Sequence, residues 1–181
     1  SLAAFSVYAV VVNLVPLLTG RGLSVSTAAI ALGLGGVGQV LGRLGYARLV
    51  QRTSIRFRTV LVILTAAVTT ALLAVLPGPT LLLITATVLA GMARGIFTLL
   101  QATAISDRWG AANYGRLNGL FSAPMTLTGA LAPWAGTSLA TLAGGYPAVF
   151  ATLAAVAAVA ALLAAGSTAS SRTALPRSTS A

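Results

Sequence analysis

The sequence has no cysteine, no histidine and a single carboxylate, Asp107, among its 181 residues. Without cysteine there is no disulfide and no thiolate ligand, and without histidine the commonest metal ligand and general base is missing. One carboxylate cannot by itself supply an acid–base pair or a metal cluster. The sequence therefore argues against an enzyme, a metal site and a bound cofactor.

Apolar residues dominate what is present. The chain is 57% hydrophobic and 7% charged, with a mean hydropathy of +0.97, whereas about a quarter of a soluble domain is charged. Crossing a bilayer takes roughly 20 mostly apolar residues. Six segments meet or approach this length, at residues 2–18, 24–41, 59–76, 80–104, 117–142 and 147–165. We predict an all-α membrane domain over residues 1–166, followed by a disordered Ser/Thr-rich tail at 167–181.

The basic residues predict the orientation of these segments in the bilayer. The loops after the second and fourth segments and the tail are rich in arginine, and the alternate loops carry Arg21 alone. Arginine-rich loops stay in the cytoplasm, so we expect both termini of this segment to be cytoplasmic. Membrane orientation accounts for the net charge of +10, and a nucleic-acid partner is not needed.

Arg94 lies within the fourth apolar segment. It is about 20 Å along the helix from Thr80, where an arginine costs roughly 2.5–3.5 kcal/mol to insert. Asp107 lies another ~20 Å further along, so its attraction is under about 1 kcal/mol at an effective dielectric near 20. The charge of Arg94 must therefore be stabilised by helix carbonyls and amides, by water, by an acid outside this chain or by an anionic solute.

The spacing of polar and small residues indicates which helix face carries Arg94. Steps of three and four residues place one stripe on the fourth segment, formed by Thr80, Thr87, Gly91, Arg94, Thr98 and Gln101. Such a stripe usually faces the bundle interior or a water-filled cavity, and Asn13 and Gln39 are expected to line the same cavity. Two interpretations of Arg94 stay open. It is a structural arginine bonded across helices, or it contacts a substrate or a coupling carboxylate.

Charged residues at the predicted cytoplasmic end form a second candidate set. Asp107 is expected to pair with neighbouring arginines, as a plain loop ion pair or as a latch that closes the cytoplasmic gate. The candidates are Asp107, Arg108, Arg116, Arg43 and Arg48. Three pairs of glycines four residues apart also predict close helix contacts, namely Gly38 with Gly42, Gly91 with Gly95, and Gly115 with Gly119.

Two stretches resemble a known family. The stretch "GQVLGRLGYARLVQRTSIRFRTVLV" (residues 38–62) is placed like the second copy of the major facilitator superfamily's signature loop, roughly Gly-x-Leu-Ala-Asp-Arg-x-Gly-Arg-Arg. Gly45 and Tyr46 fit the start of that signature, although its acidic residue is missing. Residues 102–136 are similar to the junction of the tenth and eleventh helices of bacterial efflux-type members, and "GGYPAVFATLAAVAAVAALLA" resembles their last helix.

The resemblance covers essentially the whole chain and corresponds to the C-terminal six-helix half of such a transporter. It implies a secondary carrier in a bacterial inner membrane that works by alternating access between two halves, with export favoured. The partners it implies are the bilayer, a missing N-terminal half and a small solute, and Arg94 is compatible with an anionic one. The alternatives are a six-span scaffold or a transporter remnant that moves nothing, and a channel, for which the outer loops are too short to hold a selectivity element.

Overall fold

The computed structural model describes residues 2–105 and 114–166, and it shows no strand in these ranges. Six helices lie there: α1 (Leu2–Gly20), α2 (Val25–Arg52), α3 (Ile55–Val75), α4 (Thr80–Thr103), α5 (Tyr114–Ala143) and α6 (Tyr146–Gly166). The predicted all-helical fold is confirmed. The tail at 167–181 lies outside the described residues.

Local sequence signals explain several helix ends. The hydroxyls of Ser24 and Ser54 accept hydrogen bonds from the backbone amides of Thr27 and Phe57, at 3.1 and 3.3 Å, and so cap the N-termini of α2 and α3. After α1, Gly22 adopts a left-handed conformation with φ of 87°. Its neighbour Leu23 donates a backbone hydrogen bond to Leu18, which closes the helix with a Schellman-type turn.

The region between the second and third segments differs from the prediction. We expected the second span to end at residue 41 and a long basic loop to follow, but α2 continues to Arg52 and α3 begins at Ile55. The arginines did not stop the helix because arginine is a good helix former and its long side chain can reach the polar interface. The basic residues therefore project from two helix ends joined by Thr53 and Ser54.

Five of the helices pack in a ring. Neighbours around it are α2 with α4, α4 with α3, α3 with α6, α6 with α1, and α1 with α2, while α5 packs on α1 and α6. Buried side chains form two apolar clusters inside the bundle. One includes Leu14, Leu17 and Phe150, and the other includes Val7, Phe97 and Tyr46. The two clusters occupy opposite ends of α1, and a gap remains between them.

The tightest contact lies between α2 and α4, which run parallel. A Cβ atom added to Gly91 would overlap the backbone of Gly35, and one added to Gly95 would overlap the backbone of Gln39. Gly38 and Gly42 meet the backbone carbonyls of Val88 and Met92 in the same way. Two of the predicted glycine contacts are therefore confirmed. The third is not found among the described residues, since a Cβ at Gly115 or Gly119 would meet none of their atoms within 4 Å.

Apolar side chains cover much of the outer surface. Ile30, Val37 and Leu44 follow one face of α2 and are 58%, 55% and 72% exposed. An apolar surface of this kind is unfavourable in water and is matched by lipid. Within the described residues, five helices are long and apolar enough to cross a membrane, namely α1, α2, α3, α4 and α6.

The α2–α4 contact gives a first prediction. Replacing Gly91 or Gly42 by alanine should push the two helices apart and destabilise the protein by about 1–3 kcal/mol, because a methyl group has no space between the backbones. Gly33→Ala and Gly36→Ala are matched controls, since both positions on α2 have open space for a Cβ. Thermal unfolding in detergent measures the difference. Equal stability of all four variants would contradict the contact.

Candidate functional site

A small cavity lies where the two apolar clusters meet. Four helices line it, with α1 supplying apolar side chains such as Val11 and with α3 and α4 supplying the polar ones, Thr69, Thr70, Thr87 and Arg94. Its volume is about 20 Å³, which suffices for roughly one water molecule. The three threonine hydroxyls each donate to a backbone carbonyl of their own helix. They therefore offer lone pairs to the cavity, which can accept from a water molecule or from the Arg94 guanidinium.

Arg94 is the charged residue at this cavity. It is half-buried on α4, and its guanidinium makes no hydrogen bond to any residue in the described ranges. Because a side chain of this charge is expensive within a membrane, an unsatisfied guanidinium needs a partner that is not among these residues. The structural interpretation, in which Arg94 bonds across helices, has no such bond to support it in the described part of the chain.

A second arginine comes close to Arg94 from α2. The Arg43 guanidinium donates a hydrogen bond of 3.4 Å to the Thr98 hydroxyl, and Thr98 is one helical turn beyond Arg94 on the same face of α4. The sequence placed Arg43 at the cytoplasmic gate, and the structure brings it to the polar stripe of α4.

The other predicted cavity residues lie in different surroundings. Gln39 is half-buried against Gly95, the residue after Arg94. Gln101 is half-buried on α4, and its side-chain oxygen is enclosed with no hydrogen-bond partner among the residues that the structure describes. Asn13 is not brought to the cavity. Its amide donates to the Ala9 carbonyl at 2.9 Å and packs against Gly136 of α5, so it fills the contact between α1 and α5.

The proposed gate is only partly within the described residues. Asp107 and Arg108 lie outside them, so their ion pair stays a prediction. Arg48 and Arg116 are exposed, on α2 and α5 respectively. Neither makes an ion pair with a residue that the structure describes.

Arg58 is a buried residue that the sequence analysis assigned to a loop. It lies in the first turn of α3, is 3% exposed, and its guanidinium carbon sits 5.8 Å from the centre of the Tyr46 ring. The Tyr46 hydroxyl in turn shares a 2.9 Å hydrogen bond with Thr103 of α4. This cation–π and hydrogen-bond chain joins α3, α2 and α4. Serine is a preferred N-cap residue, so Ser54 is the sequence signal that α3 begins before residue 59, where the third apolar segment was predicted to start.

Two further arginines stabilise helix ends. Arg21 donates a 2.7 Å hydrogen bond to the carbonyl of Ala74 in the last turn of α3. Arg56 donates to the carbonyl of Ala165 at the end of α6. A cation at a helix C-terminus is favourable because the unpaired carbonyls carry partial negative charge. Each of these arginines donates to a backbone carbonyl, although Nη1 of Arg21 is enclosed without a partner in the described residues, whereas Arg94 donates to none of those residues.

The helices and their apolar surface define a multi-pass integral membrane protein. The sequence model of the Major Facilitator Superfamily matches residues 1–180, so the chain belongs to this superfamily, whose members are transporters. No curated protein and no solved structure matches it. The superfamily match supports a transporter function.

The Tyr46 chain of contacts gives a second prediction. Tyr46→Phe should lower the free energy of unfolding by about 0.5–1.5 kcal/mol through the lost hydrogen bond. Tyr46→Ala should lower it by roughly 3–5 kcal/mol because the buried ring is lost as well. Thermal or denaturant unfolding of the two variants tests this order. If both variants unfolded like the unmodified protein, Tyr46 would not link the helices.

Proposed function

We propose that this chain is half of a secondary carrier that moves a small solute by alternating access. The observation that carries the proposal is Arg94, a half-buried arginine in a helix long enough to span the membrane, beside a cavity and without a hydrogen bond to the described residues. A charge retained within a membrane helix at this cost is expected to serve transport. The superfamily match supports the same interpretation.

The size of the cavity supports a missing second half. A site that encloses a small organic molecule has a volume of roughly 300–1,000 Å³, and the cavity beside Arg94 has about 20 Å³. A solute at Arg94 therefore needs another wall. We propose that an N-terminal six-helix half supplies this wall, together with any coupling carboxylate that faces Arg94.

The arginine distribution and the resemblance support the remaining details. We propose a bacterial inner-membrane location, with both termini of this segment in the cytoplasm because the arginine-rich helix ends and tail carry the cytoplasmic signal. We propose export as the direction, on the resemblance to efflux-type members.

Alternating access is testable by labelling from each side of the membrane. The chain has no cysteine, so an introduced cysteine is the only thiol that it contributes. Gly36→Cys shares a face of α2 with Gln39 and Arg43, and its Cβ has open space. It should react with a membrane-impermeant maleimide from both sides, at rates that change when solute is added.

Gly33→Cys is the matched control for this experiment. It lies three residues earlier on α2, has equal space and shares a face with the exposed Ile30 and Val37. A thiol there should face lipid and stay unreactive. Labelling of Gly36→Cys from one side alone, unchanged by any solute, would contradict alternating access and favour a non-transporting scaffold.

Arg94 gives a third prediction. In the full-length protein, Arg94→Ala should abolish transport while the protein still inserts, because a charge needed by the solute or by a coupling carboxylate is lost. Arg94→Lys should retain charge and lose the planar donor fork, so transport should fall without disappearing. The measurement is solute flux in proteoliposomes. Normal flux in both variants would indicate that Arg94 has a structural role and is not needed for transport.

A further inference from the structure

The relative position of Arg43 and Arg94 is fixed by the backbone contact between α2 and α4. The glycine contacts bring Gln39 against Gly95 and Gly42 against Met92, which are the residues that flank the two arginines along their helices. The backbone contact therefore fixes the register of the two helices, and the Arg43 guanidinium reaches across to the Thr98 hydroxyl, one helical turn beyond Arg94.

Nothing in the described ranges neutralises this pair. They contain no carboxylate, because the chain's single acidic residue, Asp107, lies outside them. Thr98 is a neutral partner, since its hydroxyl accepts from Arg43 at 3.4 Å and donates to the Gly95 carbonyl at 2.8 Å. Both arginines are positively charged and lie along the same α2–α4 contact, so their charges repel each other.

Two arginines in this arrangement are suited to an oxyanion. A guanidinium presents a planar fork of donors that matches a carboxylate or phosphoryl group, and such charge-assisted bonds are the stronger kind of hydrogen bond. Arg94 donates to no residue in the described ranges, and Arg43 gives one donor to Thr98. An anion between them would relieve their repulsion and satisfy donors from both helices together.

We propose that Arg43 and Arg94 form a two-guanidinium subsite for the carboxylate or phosphoryl group of the transported solute. This proposal rests on the proposed carrier function and names its substrate class, an organic anion. The subsite differs from the helix-end arginines, Arg21 and Arg56, whose guanidiniums already donate to backbone carbonyls.

The subsite can be tested by anion binding to the full-length protein in phosphatidylcholine nanodiscs. The probes are sodium benzoate and sodium phosphate at constant ionic strength, with sodium chloride as the reference, and the readout is the apparent Tm followed by tryptophan fluorescence. At least one probe should raise the Tm saturably. Arg43→Gln and Arg94→Gln should each weaken its apparent affinity by roughly tenfold or more.

A matched control and two milder variants complete the design. Arg52→Gln removes an exposed arginine at the end of α2 and should bind the probe like the unmodified protein. If a glutamine variant does not fold, Arg43→Lys and Arg94→Lys keep the charge and should bind with intermediate affinity. A probe effect that is absent in the unmodified protein, or equal in all variants, would overturn the subsite.

A lipid headgroup is the competing source of the same chemistry. Repeating the titration in phosphatidylglycerol nanodiscs should leave the probe affinity unchanged if the subsite takes a soluble anion. Loss of probe binding there would assign the arginines to lipid and overturn the proposal. Labelling of Gly36→Cys from both sides tests alternating access independently, so a carrier whose solute is not an anion is distinguishable from a chain that transports nothing.

Discussion

The contact between the backbones of α2 and α4 sets the geometry of everything near the candidate site. Without side chains at Gly35, Gly38, Gly42, Gly91 and Gly95, the two helices approach until carbonyl groups of each fill the space beside the glycines of the other. Close approach of this kind replaces the hydrophobic driving force that is missing between helices in lipid. It places the polar stripe of α4 beside Gln39 and Arg43.

The arginines show which groups stabilise positive charge in a chain that has one carboxylate. Arg21 and Arg56 end on carbonyls at helix C-termini, and Arg58 lies over the Tyr46 ring. In each case the partner is a dipole or a π-face in place of an acid. Arg94 departs from this pattern, since the described residues offer its guanidinium no hydrogen bond. That difference is the basis for proposing that Arg94 binds a ligand.

Periodicity and charge were enough to predict the helical segments and the Arg94 stripe, because both depend on residues a few positions apart on one helix. The arginines after residue 41 predict a loop, whereas the structure shows that α2 continues to Arg52, because arginines are compatible with a helix that leaves the membrane. The surroundings of Arg58 and Asn13 could not be predicted for a different reason. Their surroundings depend on which helices become neighbours. The order of the helices around the bundle cannot be predicted from the spacing of residues within one helix. The same holds for Arg43, which reaches Thr98 only because α2 packs on α4.

The adjacent glycines Gly35 and Gly36 differ in the space that is available for a side chain at each position of α2. At Gly35 the methyl group of Thr87 lies 3.1 Å from where a Cβ would be, whereas at Gly36 a Cβ would meet nothing within 4 Å. A side chain at the first position requires Thr87 to shift by a few tenths of an ångström, whereas one at the second is added to the face that carries Gln39 and Arg43. Substitutions that change this face therefore have an open position on α2, directly beside a crowded one.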